Sequence, residues 1–309
     1  MKKPSISLVI PVYNEEGNIS PFFQELKKWV PSQYNPEYIF VDDGSYDNTL
    51  NEIKKLSKKH ESIKYLSFTR NFGHQYALKA GIDHAKGKAV ISLDGDFQHP
   101  PHIIPLMIEK WAKGNYKIVY TERTNGGNLS WFKKHTSRLF YKLINSMSES
   151  QIGLGRADFR LLDRKVVDLI IKSTESTLFL RGLVAWTGHK NICIPYEQDV
   201  RVWGKSKYTY SKMLKLAVDA ITSFTTFPLR IASIVGLVMS ISSGLYGLYA
   251  IITWISNREV ILGWSSVIVS ILFIGGIQLL ILGIVGEYIG KIFLETKNRP
   301  LYLIGESKL

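Results

Sequence analysis

Residues 89–101 read Ala89-Val90-Ile91-Ser92-Leu93-Asp94-Gly95-Asp96-Phe97-Gln98-His99-Pro100-Pro101. The first five are apolar or small and predict a buried strand, which the proline pair brings to an end. Asp94 and Asp96 follow at i, i+2 spacing, so their carboxylates project to the same side. Two carboxylates on one side can hold a hard cation such as Mg2+, which binds through one or two carboxylates plus substrate phosphates. Asp and Gly are also common turn residues, so the motif alone fits a surface turn equally well.

The chain upstream repeats this pattern. Strands are predicted at Ile6–Pro11, Tyr38–Val41, Ile63–Phe68 and Ala89–Leu93, and a fifth at Tyr116–Thr121. Helical spacing runs through Asn18–Val30, Asp47–Lys59, Gln75–Ala85 and Ile103–Ala112. Ile19, Phe22, Phe23, Leu26 and Val30 share one face of the first helix. Alternating strands and helices argue for an α/β fold, with a mostly parallel sheet covered on both faces. Ligands of such sheets bind outside the carboxyl ends of the strands. Four polar loops fall there: Pro11-Val12-Tyr13-Asn14-Glu15, Asp42-Asp43-Gly44-Ser45, Arg70-Asn71-Phe72-Gly73 and Asp94-Gly95-Asp96. Asp43 can bond a ribose hydroxyl or a base N–H, and Asp94 with Asp96 can hold a metal on a diphosphate. The loop after the first strand lacks the glycine fingerprint of dinucleotide folds, and no P-loop is present, which disfavours nicotinamide enzymes and P-loop NTPases. Beyond residue 124 the pattern is less regular, with a helix expected over Leu129–Met147, a strand over Ala157–Leu162 and a helix through Ile171.

The C-terminal third differs in kind. Ile231–Ile255 and Ser265–Gly286 contain no charged residue. As helices they would be roughly 37 Å and 33 Å long, enough for a hydrocarbon core of about 30 Å. The short link Ser256–Trp264 makes them a hairpin, with Trp254 and Trp264 where interfacial aromatics belong. Tyr208–Phe224 is amphipathic, and its place before the first span predicts an in-plane interfacial helix. The net charge is +13, and Arg201–Arg230 holds six basic residues against one acid. Lys291, Lys297, Arg299 and Lys308 follow the second span. The positive-inside rule then puts both termini and the catalytic part in the cytoplasm. Anionic headgroups explain the basic excess better than nucleic acid does. A single cysteine, Cys193, precludes an internal disulfide. The N-terminus reads as the opening of a strand and not as a signal peptide.

These motifs together carry a family resemblance. VIPVYNEE (9–16), VDDGSYDNT (41–49), RNFGHQYALKAG (70–81) and DGDFQHPP (94–101) resemble family-2 glycosyltransferases of the GT-A, Rossmann-like fold. More narrowly, DFQHPP, ADFRLLDR (157–164) and RVWGKSKYTYSKM (201–213) are similar to polyprenyl-phosphate glycosyltransferases, the group of bactoprenol glucosyltransferases and dolichyl-phosphate mannose synthase. The resemblance implies that Pro11, Tyr13, Glu15, Asp43 and Arg70 line the nucleotide-sugar pocket. It implies that Asp94 and Asp96 bind Mg2+ or Mn2+ with help from Gln98, and that Arg201 reaches the diphosphate or sugar. Arg123, Arg138 and Lys207 would hold the lipid phosphate. Asp96, Asp158 and Arg201 would form the catalytic set, with Asp158 orienting acceptor or sugar and not assigned as an obligatory base.

The implied acceptor changes the chemistry required. A sugar hydroxyl would need a general base. A phosphate monoester is largely dianionic at pH 7, its second pKa being about 6. Direct displacement at the anomeric carbon with inversion is then expected, catalysed by positioning and charge stabilisation. The expected layout is a cytoplasmic catalytic domain (1–207), an interfacial helix (208–229), a two-helix transmembrane hairpin (230–290) and a cytoplasmic tail (291–309). The expected setting is a bacterial-type plasma membrane, and the product would serve cell-envelope glycan modification. UDP-glucose is the expected donor and undecaprenyl phosphate the acceptor, with a GDP-mannose-dependent mannose synthase or a non-catalytic scaffold as alternatives. The Gly-rich span faces suggest a homo-oligomer, and the resemblance offers a tetramer as one form of it. No Q-x-x-R-W motif of processive polysaccharide synthases is present. Neither span carries a central ionisable residue, which disfavours a transporter.

Overall fold

The apolar runs of the first half become neighbouring strands of one sheet in the computed structural model. It describes residues 5–124, 156–173, 175, 178–197, 222, 226–257 and 263–309. The strands are β1 (Ile6–Val12), β2 (Glu37–Asp42), β3 (Ile63–Phe68), β4 (Ala89–Ser92), β5 (Ile118–Arg123), β6 (Arg156–Asp163), β7 (Asn191–Tyr196) and β8 (Ile304–Lys308). Their order across the sheet is β7-β5-β6-β4-β1-β2-β3-β8. β1 pairs in parallel with β2 and β4, β2 with β3, and β5 with β7. β6 runs antiparallel to both β4 and β5. The sheet is therefore mostly parallel, as expected. The chain winds outward from β1 to β3 and then returns to place β4 on the other side of β1. That reversal is a topological switch point, and its crevice lies at the carboxyl ends of β1 and β4.

Period-2 alternation sorts the strand residues onto two covered faces. Ile6, Leu8 and Ile10 pack with α1 (Ile19–Trp29), α2 (Thr49–Lys59) and α4 (Ile104–Gly114) through Phe22, Phe23, Leu26, Ile53 and Met107. Val9, Ile39 and Val41 face the other way. They meet α3 (His74–His84), α5 (Arg164–Lys172) and α6 (Leu180–Trp186) through Leu78, Val166, Val167 and Leu183. Each large apolar side chain so buried contributes about 1.5–3 kcal/mol. Asn48 is the residue that precedes α2, and the Asp47 carboxylate accepts from Thr49 N–H at 3.0 Å.

Three elements were not apparent from the sequence: α6, β7 and β8. β8 also corrects the layout of 291–309 as a separate tail. Tyr65 to Phe68 of β3 pair antiparallel with Ile304 to Lys308. Arg299–Leu309 thus belongs to the same compact unit as the rest of the sheet. β3 would otherwise be an edge with unpaired N–H and C=O groups, and the C-terminal segment supplies their partners.

The second unit holds a helix pair, α7 (Phe227–Asn257) and α8 (Trp264–Thr296). Residues 227–229 are the first turn of α7, so the expected interfacial segment 208–229 overlaps the helix pair. The rest of that segment, apart from 222 and 226, lies outside the described residues, as does the expected helix over Leu129–Met147. Phe227–Tyr249 and Val269–Thr296 are long and apolar enough to cross a membrane. Leu237, Leu245, Leu279 and Leu282 are more than half exposed. Exposed apolar side chains along both helices suit contact with lipid.

Candidate active site

The four strand-end loops meet one another in series. The loop after β1 is joined to the loop after β2 by five hydrogen bonds. Asn14 N–H donates to Ser45 Oγ at 2.9 Å and Tyr46 N–H donates to Asn14 Oδ1 at 2.9 Å. Glu15 N–H donates to Thr49 Oγ1, Glu16 N–H to Asp47 Oδ2 and Asn48 N–H to Glu16 Oε2. The second loop meets the third through Asp43. Its carboxylate accepts from Phe72 N–H at 2.7 Å, Gly73 N–H at 3.0 Å and Asn71 Nδ2 at 3.0 Å. Gly44 makes that approach possible: it sits at φ +70°, and a Cβ there would lie 2.4 Å from the Arg70 carbonyl carbon. The third loop meets the fourth where His74 Nε2 stands 3.0 Å from Asp94 Oδ1. The fourth loop closes the series against the first. A Cβ at Gly95 would lie 2.8 Å from Val12 Cγ1.

Asp43 is thus tied into the rim, its carboxylate bonded to the Phe72 and Gly73 N–H groups and to the Asn71 side-chain amide. Burial raises its pKa, and the Phe72 and Gly73 N–H groups offset this only in part. Pro11 is buried, Tyr13 packs edge-on against Tyr46 at 6.4 Å, and Glu15 accepts from Asn18 Nδ2. Arg70 is exposed, its guanidinium 4.0 Å above the Phe72 ring.

Asp94 and Asp96 both lie in the loop that follows β4 at the switch point. Asp96 Oδ1 accepts from Gln98 N–H at 3.1 Å. Asp94 Oδ1 is buried and accepts no hydrogen bond among the described residues. The nearby His74 nitrogen is within ion-pair range but is not aligned to donate. A buried carboxylate oxygen without a donor is costly, and a cation is a natural partner for it. Among the described residues no three His, Cys, Asp or Glu side chains gather into a metal cage. Two carboxylates with an open remainder fit Mg2+ or Mn2+ that completes its shell with phosphate and water.

Asp158 lies on β6 across from this pair, two residues beyond the Ser92–Arg160 register match. It is buried and doubly paired. Arg181 Nη2 donates to Oδ2 at 2.7 Å and Arg181 Nε to Oδ1 at 3.1 Å, while Arg160 Nη2 reaches Oδ1 at 3.1 Å. Burial pushes its pKa up, but the charges of Arg181 and Arg160 outweigh that and hold it well below the usual carboxylate range. Such a group is ionised at neutral pH and is a weak base. It orients Arg181, whose side chain is 38% exposed and so reaches the surface of the rim.

His99 explains how Asp94 is held. It is buried, stacked on Phe159 at 5.3 Å, and its Nδ1 accepts from Asp94 N–H at 3.0 Å. That bond assigns the proton to Nε2. Burial lowers its pKa despite the nearby Asp94 charge, so the ring is neutral at pH 7. Arg123 ends β5 beside it, donating from Nε to Tyr196 Oη at 3.0 Å. Arg138, Arg201 and Lys207 lie outside the described residues. His74, His99, Arg181 and Tyr196 were not singled out from the sequence. The two histidines flank the motifs closely enough to have been suspected, whereas Arg181 and Tyr196 sit in segments without any motif.

Fold and rim together define a glycosyltransferase of the GT-A type. The chain belongs to glycosyl transferase family 2, whose family model matches residues 7–170. A second match covers residues 227–292, to the GtrB C-terminal hairpin. The glycosyltransferase YkcC of Bacillus subtilis (strain 168) is 44% identical, covering 97% of this chain and 93% of that one. The bactoprenol glucosyl transferase of Shigella phage SfX is 43% identical over 98% of this chain and 99% of that one. Among solved structures, a mannosyltransferase from Pyrobaculum calidifontis in complex with GDP-Man and Mn2+ gives a TM-score of 0.46 at 17% identity, covering 68% of this chain and 60% of that one.

Proposed function

We propose that this chain transfers glucose from UDP-glucose to polyprenyl phosphate, with inversion at the anomeric carbon. The near full-length similarity to a bactoprenol glucosyl transferase supports both sugar and acceptor class. The observation that carries the acceptor assignment is the state of Asp158. The buried carboxylate facing the metal-type pair is neutralised by two arginines. A hydroxyl acceptor would ask it for a proton transfer that it is poorly suited to perform. A lipid phosphate brings its own charged oxygen. That oxygen forms the new bond to C1 of the sugar as the bond from C1 to the nucleoside diphosphate breaks, and the diphosphate departs with the electron pair. No proton needs to move.

In this reading Tyr13, Glu15 and Asp43 wall the nucleoside side of the pocket, and Arg70 covers its outer edge. Asp94 and Asp96, with Gln98 beside them, would hold Mg2+ or Mn2+, which when bound neutralises charge on the leaving diphosphate. Arg181, fixed by Asp158, presents a planar guanidinium to phosphate or sugar oxygens. Arg123 at the end of β5, with Arg138, Lys207 and Arg201, supplies the remaining phosphate contacts. Asp158 acts by orientation and Asp96 through the metal. The helix pair spans the bilayer with both termini and the catalytic domain on the cytoplasmic side, the side from which a nucleotide-sugar is supplied. At glycines 236, 244, 247, 275, 276 and 283 an added Cβ would have no neighbour within 4 Å among the described residues, which supports packing against further copies.

A donor screen tests the assignment. Purified full-length protein is given polyprenyl phosphate and, separately, labelled UDP-glucose, other UDP-hexoses and GDP-mannose. Label should enter the lipid phase from UDP-glucose in preference to the rest. Preferential transfer from GDP-mannose would replace glucose by mannose in the account, and no transfer from any donor would end it.

A further inference from the structure

β3 runs straight into the loop Thr69–Gly73, which carries Arg70 and supplies the backbone N–H groups that hold Asp43. α3 begins immediately after it. One side chain from the far end of the sequence touches the end of β3, next to this loop, and the C-terminal turn of α3. The ring of Tyr302 stacks on Phe68, the last residue of β3, at 5.1 Å and 17°. Its hydroxyl donates to Asp83 Oδ2 on α3 at 2.9 Å. Asp83 is paired in turn with the buried Lys79, one turn earlier on the same helix. Next to Tyr302, the Leu303 carbonyl accepts the N–H of Thr69, the first residue of the loop, at 3.1 Å. Phe68 passes the contact onward, its ring meeting Phe72 edge-on at 5.6 Å, and Phe72 lies under the Arg70 guanidinium.

We propose that Tyr302 is a positioning residue for the nucleotide-sugar, holding the Thr69–Gly73 loop against Asp43 from outside the pocket. This rests on the reading that Asp43 and Arg70 line the donor site. β8 itself is anchored independently of Tyr302. Glu306 pairs with Lys54 and the Lys308 ammonium donates to the Ser57 carbonyl, both partners on α2. Loss of the tyrosine ring therefore loosens one loop and leaves the strand in place. The arrangement also gives the sequence after the second long helix a task in catalysis, since the residues that brace the donor loop begin six positions past Thr296.

The test uses full-length protein in detergent with UDP-glucose and polyprenyl phosphate, comparing Tyr302→Leu and Tyr302→Phe with wild type. Tyr302→Leu removes both stack and hydroxyl and should raise the KM for UDP-glucose about tenfold, the scale of one lost aromatic pair. The KM for polyprenyl phosphate should stay within about twofold, since the loop does not bear on the acceptor phosphate. Tyr302→Phe keeps the stack and loses only the bond to Asp83, so its donor KM should rise about threefold. Hydrogen exchange at the Phe72 and Gly73 amides should quicken in Tyr302→Leu, while the amides of β1 and β2 keep their protection. Equal rises in both KM values, or an unchanged donor KM with unchanged exchange at Phe72 and Gly73, would overturn the proposal. If Tyr302→Leu does not fold, the smaller change in Tyr302→Phe decides it. If wild type moves no sugar to polyprenyl phosphate, the functional reading fails, and the exchange rates still report whether Tyr302 holds the loop.

Discussion

Asp158→Asn separates an orienting carboxylate from a catalytic base. The substitution keeps the shape and removes the charge that Arg160 and Arg181 share. Arg160 is 1% exposed and would be left as a buried cation without its counterion. Removing one partner of a buried pair costs about 3–5 kcal/mol. Arg181 is 38% exposed and can turn to solvent, so its share is discounted and the lower end, about 3 kcal/mol, is expected. For a protein of this size that corresponds to a fall in Tm of roughly 5 °C. Thermal unfolding of both full-length proteins in the same detergent measures it. The pH dependence has a definite sign. The folded pKa of Asp158 is depressed, so its stabilisation is complete above the unfolded value of about 4 and is lost as pH falls toward the folded value. The gap between wild type and variant should be constant from about pH 5 to 8 and should close below about pH 4. A variant as stable as wild type would refute the reasoning. So would a wild-type rate profile with an acidic limb near neutrality that the variant lacks, because that is the mark of a base.

Other consequences concern the metal pair, the crevice and the membrane. Asp96→Ala should lower sugar transfer by at least about a hundredfold, as loss of a group acting on transition-state charge does; EDTA should abolish wild-type transfer, and added Mg2+ or Mn2+ should restore it. Gly95→Ala forces a methyl group against Val12 and should cost about 1–3 kcal/mol by unfolding measurements, with a loss of activity because both crevice walls shift. Alkaline carbonate washing should leave the full-length protein in the membrane pellet; its release into the supernatant would contradict the spanning helices.

Much of this was readable in the sequence, for physical reasons that can be named. β1, β2 and β4 are buried on both faces, so they appear as unbroken apolar runs, and the residues after them fall at the rim. Asp94, Asp96 and Asp43 were found that way. The long helices were legible because a bilayer demands some twenty apolar residues in a row. β8 was not legible. Ile304-Gly305-Glu306-Ser307-Lys308 is exposed along its whole length and has no apolar alternation, so only its pairing with β3 makes it a strand. α6 spans Leu180–Trp186, too short for a periodic signal, and Arg181 was hidden with it. The roles of Asp43 and Asp158 depend on partners that are distant in sequence. Asp43 is bound by residues 71–73 and Asp158 by Arg181, and neither spacing follows a rule.

The most direct test of the account asks whether the lipid's phosphate is the nucleophile. Purified protein is given labelled UDP-glucose with either polyprenyl phosphate or the matching polyprenol, which has a hydroxyl in place of the phosphate. The account predicts label in the lipid phase with the phosphate alone, as a glucosyl phosphodiester of inverted anomeric configuration. Equal transfer to the polyprenol, or a product of retained configuration, would contradict it.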